Sequence, residues 1–240
     1  MSVNNLIQII VTESKEAAGK AASRVFKSEV SQNPGLVLLP GGRSPISFYK
    51  ELAGDMLNWN EISIMATDDR VVPLDNVHSN TGMIQREFID QINQSTKPQL
   101  IKTFPENELN TRDALAAIKE RLINNVPRIA VLGMGSDGHT AGIFSENNME
   151  KYCYHFKQSY DPFERVTISM DIFLKIPRLI FLIFGKEKKE MLSKVLSAQS
   201  MEDNPPTIFL LKNGKGTKTI ICDTQAAPDG FPIGETEVIV

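Results

Sequence analysis

The chain has 240 residues, 41% of them hydrophobic and 23% charged. This is the balance of an ordinary globular protein, with a substantial core in one large α/β domain or two small ones. A formal net charge of −3 excludes broad electrostatic capture of nucleic acid and leaves any anionic ligand to a local site.

The apolar run at residues 6–11 is too short for a signal-peptide core or a membrane span, so no membrane partner is expected. Those residues read as a strand instead, and the Ala-rich residues 13–30 as a helix. The apolar run 36–39 ends in Pro40-Gly41-Gly42, and residues 45–57 are helical after it. Further apolar runs at 62–66, 129–132 and 179–184 each feed a loop bearing Gly or Asp, while 82–92, 111–124 and 186–198 carry helical spacing. Segments 93–98 and 201–206, polar and Pro-bearing, read as surface connections rather than domain linkers. Cys153 and Cys222 lack motif spacing and are expected as buried, reduced thiols, so the expected address is the cytoplasm. Continuous apolar strands alternating with helices predict a single three-layer α/β/α domain over residues 1–240. Its sheet is Rossmann-like and mainly parallel, with helices on both faces. Ligands of such sheets bind beyond the carboxyl ends of the strands, where loops 40–44, 67–73, 133–140 and 185–188 all fall.

Four segments carry candidate chemistry. In Leu38-Leu39-Pro40-Gly41-Gly42-Arg43-Ser44-Pro45 a strand runs into paired glycines, with Ser44 expected at an N-cap and Pro45 in the first helical turn. Gly41 and Gly42 let the backbone approach a ligand, and the helix start with Arg43 favours an anion. Neither the dinucleotide fingerprint nor the Walker pattern is matched. In Thr67-Asp68-Asp69-Arg70-Val71-Val72-Pro73, two carboxylates and an arginine follow a strand; they suit a polar substrate or a capping turn with a surface ion pair. Leu132-Gly133-Met134-Gly135-Ser136-Asp137-Gly138-His139-Thr140 places His139 two positions after Asp137 in a Gly-rich loop. Imidazole is the side chain suited to moving protons near neutral pH, and a nearby carboxylate can orient it. Gly185-Lys186-Glu187-Lys188-Lys189 follows the most apolar run, so Lys188 can meet a phosphate as a point charge or simply be solvated. The three histidines show no metal-ligand spacing, so no metal is expected.

Read together, these segments resemble the 6-phosphogluconolactonases, within the wider group that includes the glucosamine-6-phosphate deaminases. The resemblance rests on Gly41-Gly42-Arg43-Ser44-Pro45, Asp68-Asp69-Arg70-Val71-Val72-Pro73, Ser79-Asn80, residues 133–141, Arg165 before a strand, and Gly185-Lys186-Glu187-Lys188. The matches run in the family's order over roughly residues 36–212, and 133–141 is the most specific. Two positions favour the lactonase side of the group. Phe144 stands where the deaminases carry a ring-opening Glu, and Arg70 where they carry an aromatic residue. The family usually reads Ser-Leu-Phe-Pro after His-Thr-Ala; this chain has Gly142-Ile143-Phe144-Ser145, which is expected to loosen the loop.

The resemblance implies hydrolysis of 6-phosphoglucono-1,5-lactone to 6-phosphogluconate, the second step of the oxidative pentose phosphate pathway, without a cofactor. It implies His139 as general base for an attacking water, with Asp137 or Asp68 holding its tautomer. Backbone N–H groups at Gly41 and Gly42, or near Gly135, would face the oxyanion. Arg70, Lys188 and the Ser44 helix start would grip the phosphate, with Arg43, Asn80 and Arg165 as further substrate contacts. The partner expected is a small sugar-phosphate lactone, and the chain itself is expected as a monomer or weak homodimer.

Overall fold

The structure, a computed structural model, describes residues 6–104, 110–145, 150–159, 161–197 and 204–239. Strand β1 (Leu6–Thr12) leads into helix α1 (Lys15–Gln32), whose start is capped by Ser14 Oγ accepting from the Ala17 N–H. Then follow β2 (Leu36–Leu39), α2 (Ile46–Gly54), β3 (Ser63–Ala66), β4 (Asp68–Arg70) and α3 (Asn80–Glu87). The middle of the chain forms β5 (Gln99–Ile101), α4 (Thr111–Asn124), β6 (Ile129–Gly133), β7 (Cys153–Lys157), β8 (Glu164–Ile168) and α5 (Met170–Phe173). The last third is β9 (Arg178–Ile183), α6 (Lys189–Leu196), α7 (Pro206–Asn213), β10 (Thr217–Asp223) and β11 (Gly234–Ile239).

Eight strands make the main sheet in the order β11-β1-β10-β9-β6-β2-β3-β5. All its pairs are parallel save β1 with β11, which is antiparallel. Because successive strand residues face opposite sides, each apolar strand feeds two cores. Leu38, Leu132 and Phe181 pack with Ile118 and Leu192 on one side, whereas Val37, Val131 and Ile180 pack with Phe26, Phe48 and Trp59 on the other. This is the expected α/β/α layering, and it explains why the strands read as continuous apolar runs.

Local corrections have identifiable causes. The helix expected over 82–92 starts earlier, behind Ser79, and breaks at Phe88, after which Ile89–Gln91 is a single 3-10 turn. The Phe88 ring there stacks on Tyr49 and meets Trp59 edge-on, burial that outweighs continuing the helix. The helix expected over 186–198 splits into a 3-10 turn, Lys186–Lys188, and α6; residue 198, like 201–203 of the expected surface connection, lies outside the described residues. The segment 67–73, expected as a loop, contains β4. It belongs to a second, three-stranded antiparallel sheet, β4-β8-β7, whose other strands sequence patterning missed. Cys153 and Cys222 are free and buried, and burial pushes their thiols up to about 11 and about 12. Among the described residues no helix is long and apolar enough to cross a membrane.

Candidate active site

The carboxyl ends of β2, β3, β6 and β9 open on a cleft of about 270 Å³. Every site residue expected from sequence lines it, except Asp137, which lies behind His139. Parallel strands explain the convergence, since all their carboxyl ends share one edge.

His139 and Asp137 form the centre of one wall. Asp137 Oδ1 lies 2.6 Å from His139 Nδ1 and also accepts the His139 backbone N–H at 3.2 Å. Burial pushes the Asp137 carboxyl up, but the His139 N–H, ring charge and ring hydrogen bond outweigh it and hold the group below the ordinary range. An ionised carboxylate only accepts, so in the neutral imidazole Nδ1 carries the proton and the lone pair is on Nε2. Gly135 makes this packing possible: a Cβ there would sit 2.1 Å from His139 Nδ1 and 2.3 Å from Asp137 Oδ1. The Gly135 N–H donates to the His139 carbonyl at 2.8 Å. That N–H is therefore committed to closing the loop. Of the two carboxylates expected to orient His139, Asp137 makes the hydrogen bond.

The small sheet forms the facing wall. Directly paired residues of an antiparallel ladder share a face. Asp68 pairs with Thr167 and Arg70 with Arg165 on one side of β8, while Tyr154 and Phe156 pair with the same two residues on the other. Asp69 points the opposite way. Its carboxylate accepts the backbone N–H groups of Asn80 at 2.7 Å and Thr81 at 3.0 Å, clamping the start of α3. That clamp places Asn80, whose Nδ2 donates to the Asp68 carbonyl at 2.8 Å and whose Oδ1 accepts from Arg70 Nη1 at 3.3 Å. A Cβ on Gly41 would fall 2.0 Å from Asn80 Oδ1, so only glycine lets the 40–42 turn come this close. The Asp68 carboxyl is raised by burial, which exceeds the opposing effects of Arg165, the Thr67 hydroxyl, Arg70 and His139. Arg165 Nη1 lies 3.7 Å from Asp68, and its Nε donates to Asp161 at 2.7 Å.

Lys188 reaches the cleft from the 3-10 turn after β9. Gly185, at φ +92°, begins that turn, and its N–H donates to the Asp223 carboxylate at 3.1 Å. The expectation that Ser44 caps α2 is not met. Pro45 already has φ −81° and ψ −3°, the helix begins at Ile46, and no side chain caps it. Ser44 lines the cleft from the preceding turn instead. Thr67, Met134, Thr140 and Ala141 line it too, although sequence reasoning gave them no role. Thr140 Oγ1 donates to the Gly133 carbonyl at 2.8 Å, and Ala141 takes the left-handed conformation at φ 49°. The loop is not loosened at Gly142: its N–H donates to Thr167 Oγ1, and its carbonyl accepts from the Tyr154 hydroxyl.

The model of the family of glucosamine-6-phosphate isomerases and 6-phosphogluconolactonases matches residues 12–220. The chain belongs to this family. Among its relatives is the 6-phosphogluconolactonase of Helicobacter pylori strain 26695, 31% identical over 165 residues, covering 67% of this chain and 71% of the relative. That of Neisseria meningitidis serogroup A is 27% identical over 202 residues, covering 79% and 87%. The solved structure of 6-phosphogluconolactonase from Trypanosoma brucei superposes with a TM-score of 0.76 at 23% identity, over 91% of this chain and 96% of that one. At that identity the likeness concerns the fold.

Proposed function

We propose that the chain hydrolyses 6-phospho-D-glucono-1,5-lactone to 6-phospho-D-gluconate, acting as a single cytoplasmic domain without a cofactor, as a monomer or weak homodimer. The observation that carries this reading is the Asp137–His139 pair, which opens onto a cleft whose other walls hold Arg43, Arg70, Arg165 and Lys188. His139 Nε2 takes a proton from water as the oxygen attacks the lactone carbonyl carbon. The N–H groups of Gly41 and Gly42 receive the oxyanion. Collapse of the tetrahedral intermediate breaks the bond to the ring oxygen, which recovers the proton from His139. The arginines and Lys188 hold the phosphate, and charge-assisted contacts of this kind suit a doubly charged group. Phe144, beside His139, offers no carboxylate for sugar-ring opening, which supports the lactonase over the amino-sugar reaction.

The test offers fresh 6-phosphogluconolactone and glucosamine 6-phosphate separately to the purified protein and to its His139→Ala variant. Lactone loss accelerated by the wild type and nearly abolished in the variant, with no ammonia from the amino sugar, is the expected result. Ammonia release would overturn the lactonase reading, and a near-normal rate in the variant would remove His139 as base.

A further inference from the structure

Asp137 fixes one edge of the His139 imidazole, but a single hydrogen bond does not fix the plane of the ring. The His139 side chain is 34% exposed, so solvent leaves it room to swing about that bond. Its face is covered by Phe144: the ring centroids are 4.5 Å apart and the planes 28° from parallel. Phe144 in turn meets Phe156 at 5.8 Å, and Phe156 meets Tyr154 at 5.9 Å. Tyr154 and Phe156 alternate onto the cleft face of β7, so this run of rings joins the loop that carries the base to the sheet that carries Asp68, Arg70 and Arg165. Gly142 opens the space for it: a Cβ at 142 would lie 2.7 Å from the Phe156 ring and from Thr167 Cβ.

We infer that Phe144, seated on Phe156, is a positioning residue that sets the plane of the His139 imidazole and so aims Nε2 into the cleft. The inference rests on the proposed base role of His139. Offset stacking of two flat rings restricts tilt and rotation, which a flexible aliphatic chain of similar volume does not. A base that must meet a water held against a carbonyl tolerates little angular error, and a misplacement of about 1 Å can cost about a hundredfold in rate. The role requires a flat face, and that requirement separates it from space-filling.

The experiment compares Phe144→Leu and Phe144→Tyr in the full chain, with melting curves to verify folding. Leu keeps most of the apolar volume and Tyr keeps the ring. For Phe144→Leu we expect kcat to fall about tenfold to a hundredfold with KM for the lactone within twofold, and Phe144→Tyr to restore kcat. Proton NMR gives a readout independent of turnover. The His139 Cε1–H signal, one of three histidine signals, should be displaced by the Phe144 ring current in the wild type and the Tyr variant, and lose that displacement in the Leu variant. A folded Phe144→Leu protein with unchanged kcat, alongside an inactive His139→Ala, would overturn the positioning role and leave the base role standing. A raised KM with unchanged kcat would overturn it in favour of direct substrate contact. Near-normal turnover by His139→Ala would remove the base role and this inference with it.

Discussion

Replacing Gly135 with Ala adds one methyl group where the structure has none to spare. The new Cβ would lie 2.1 Å from His139 Nδ1 and 2.3 Å from Asp137 Oδ1, whereas ordinary contact begins at 3.4 Å. The imidazole must therefore retreat by about 1.3 Å and the carboxylate by about 1.1 Å, more than a hydrogen bond of 2.6 Å can absorb without breaking or turning. For a general base, displacement on that scale costs about a hundredfold, or roughly 2.7 kcal/mol of barrier. Folding should suffer far less. Gly135 does not occupy the left-handed region, so Ala brings no backbone strain, and the side chains displaced are partly exposed rather than part of the core. A loss of about 1 kcal/mol would lower Tm by only about 2–4 °C in a chain of this size. The assay pairs initial rates on fresh lactone with thermal melting, and uses Gly54→Ala as control. Gly54 ends α2 with open space around its would-be Cβ, so Ala there should be neutral or slightly stabilising. A Gly135→Ala protein retaining a third or more of wild-type kcat would refute the claim that catalysis depends on the Asp137–His139 geometry. A collapse of Tm equal to that of a core mutation would show that the stability argument is wrong.

Lys188→Ala and Arg70→Ala should each weaken phosphate recognition by about 1.5–3 kcal/mol, tenfold or more in affinity, with a smaller defect on unphosphorylated gluconolactone. Equal losses on both substrates would refute phosphate binding; Lys188 is the cleaner case, because Arg70 also donates to Asn80 and to the His78 carbonyl. Asp68→Asn should lower activity but raise Tm at pH 7. The folded-state carboxyl is raised by burial, so ionisation costs stability as pH climbs through and above the ordinary range near 4; the variant's advantage should disappear when the melts are repeated below about pH 4. A lower Tm at pH 7 would mean that the Arg165 and Thr67 contacts outweigh the burial cost. Treatment with EDTA should leave turnover unchanged, since among the described residues no cluster of His, Cys, Asp and Glu could hold a metal; loss restored by a divalent ion would overturn this.

The sequence by itself determined the layering and the edge on which the cleft lies. Runs such as 36–39 and 179–184 are apolar at every position because both sheet faces are buried, and that pattern is local enough to read along the chain. The same holds for the Gly-rich loop, where Asp137 and His139 are close in sequence and needed only a tight turn to meet. Tertiary structure decided what depends on side-chain direction and on distant partners. Asp68 and Asp69 looked equivalent as neighbours. The strand alternation of β4 sends one into the cleft and the other to clamp α3, and β4 exists only because β8, some hundred residues later, supplies its ladder. Three residues cannot announce a strand whose hydrogen bonds lie that far along the chain. Nor could Gly142 be read as a gap for Phe156, or Phe144 as the face against which His139 rests, since those contacts arise only when the small sheet folds back over the loop.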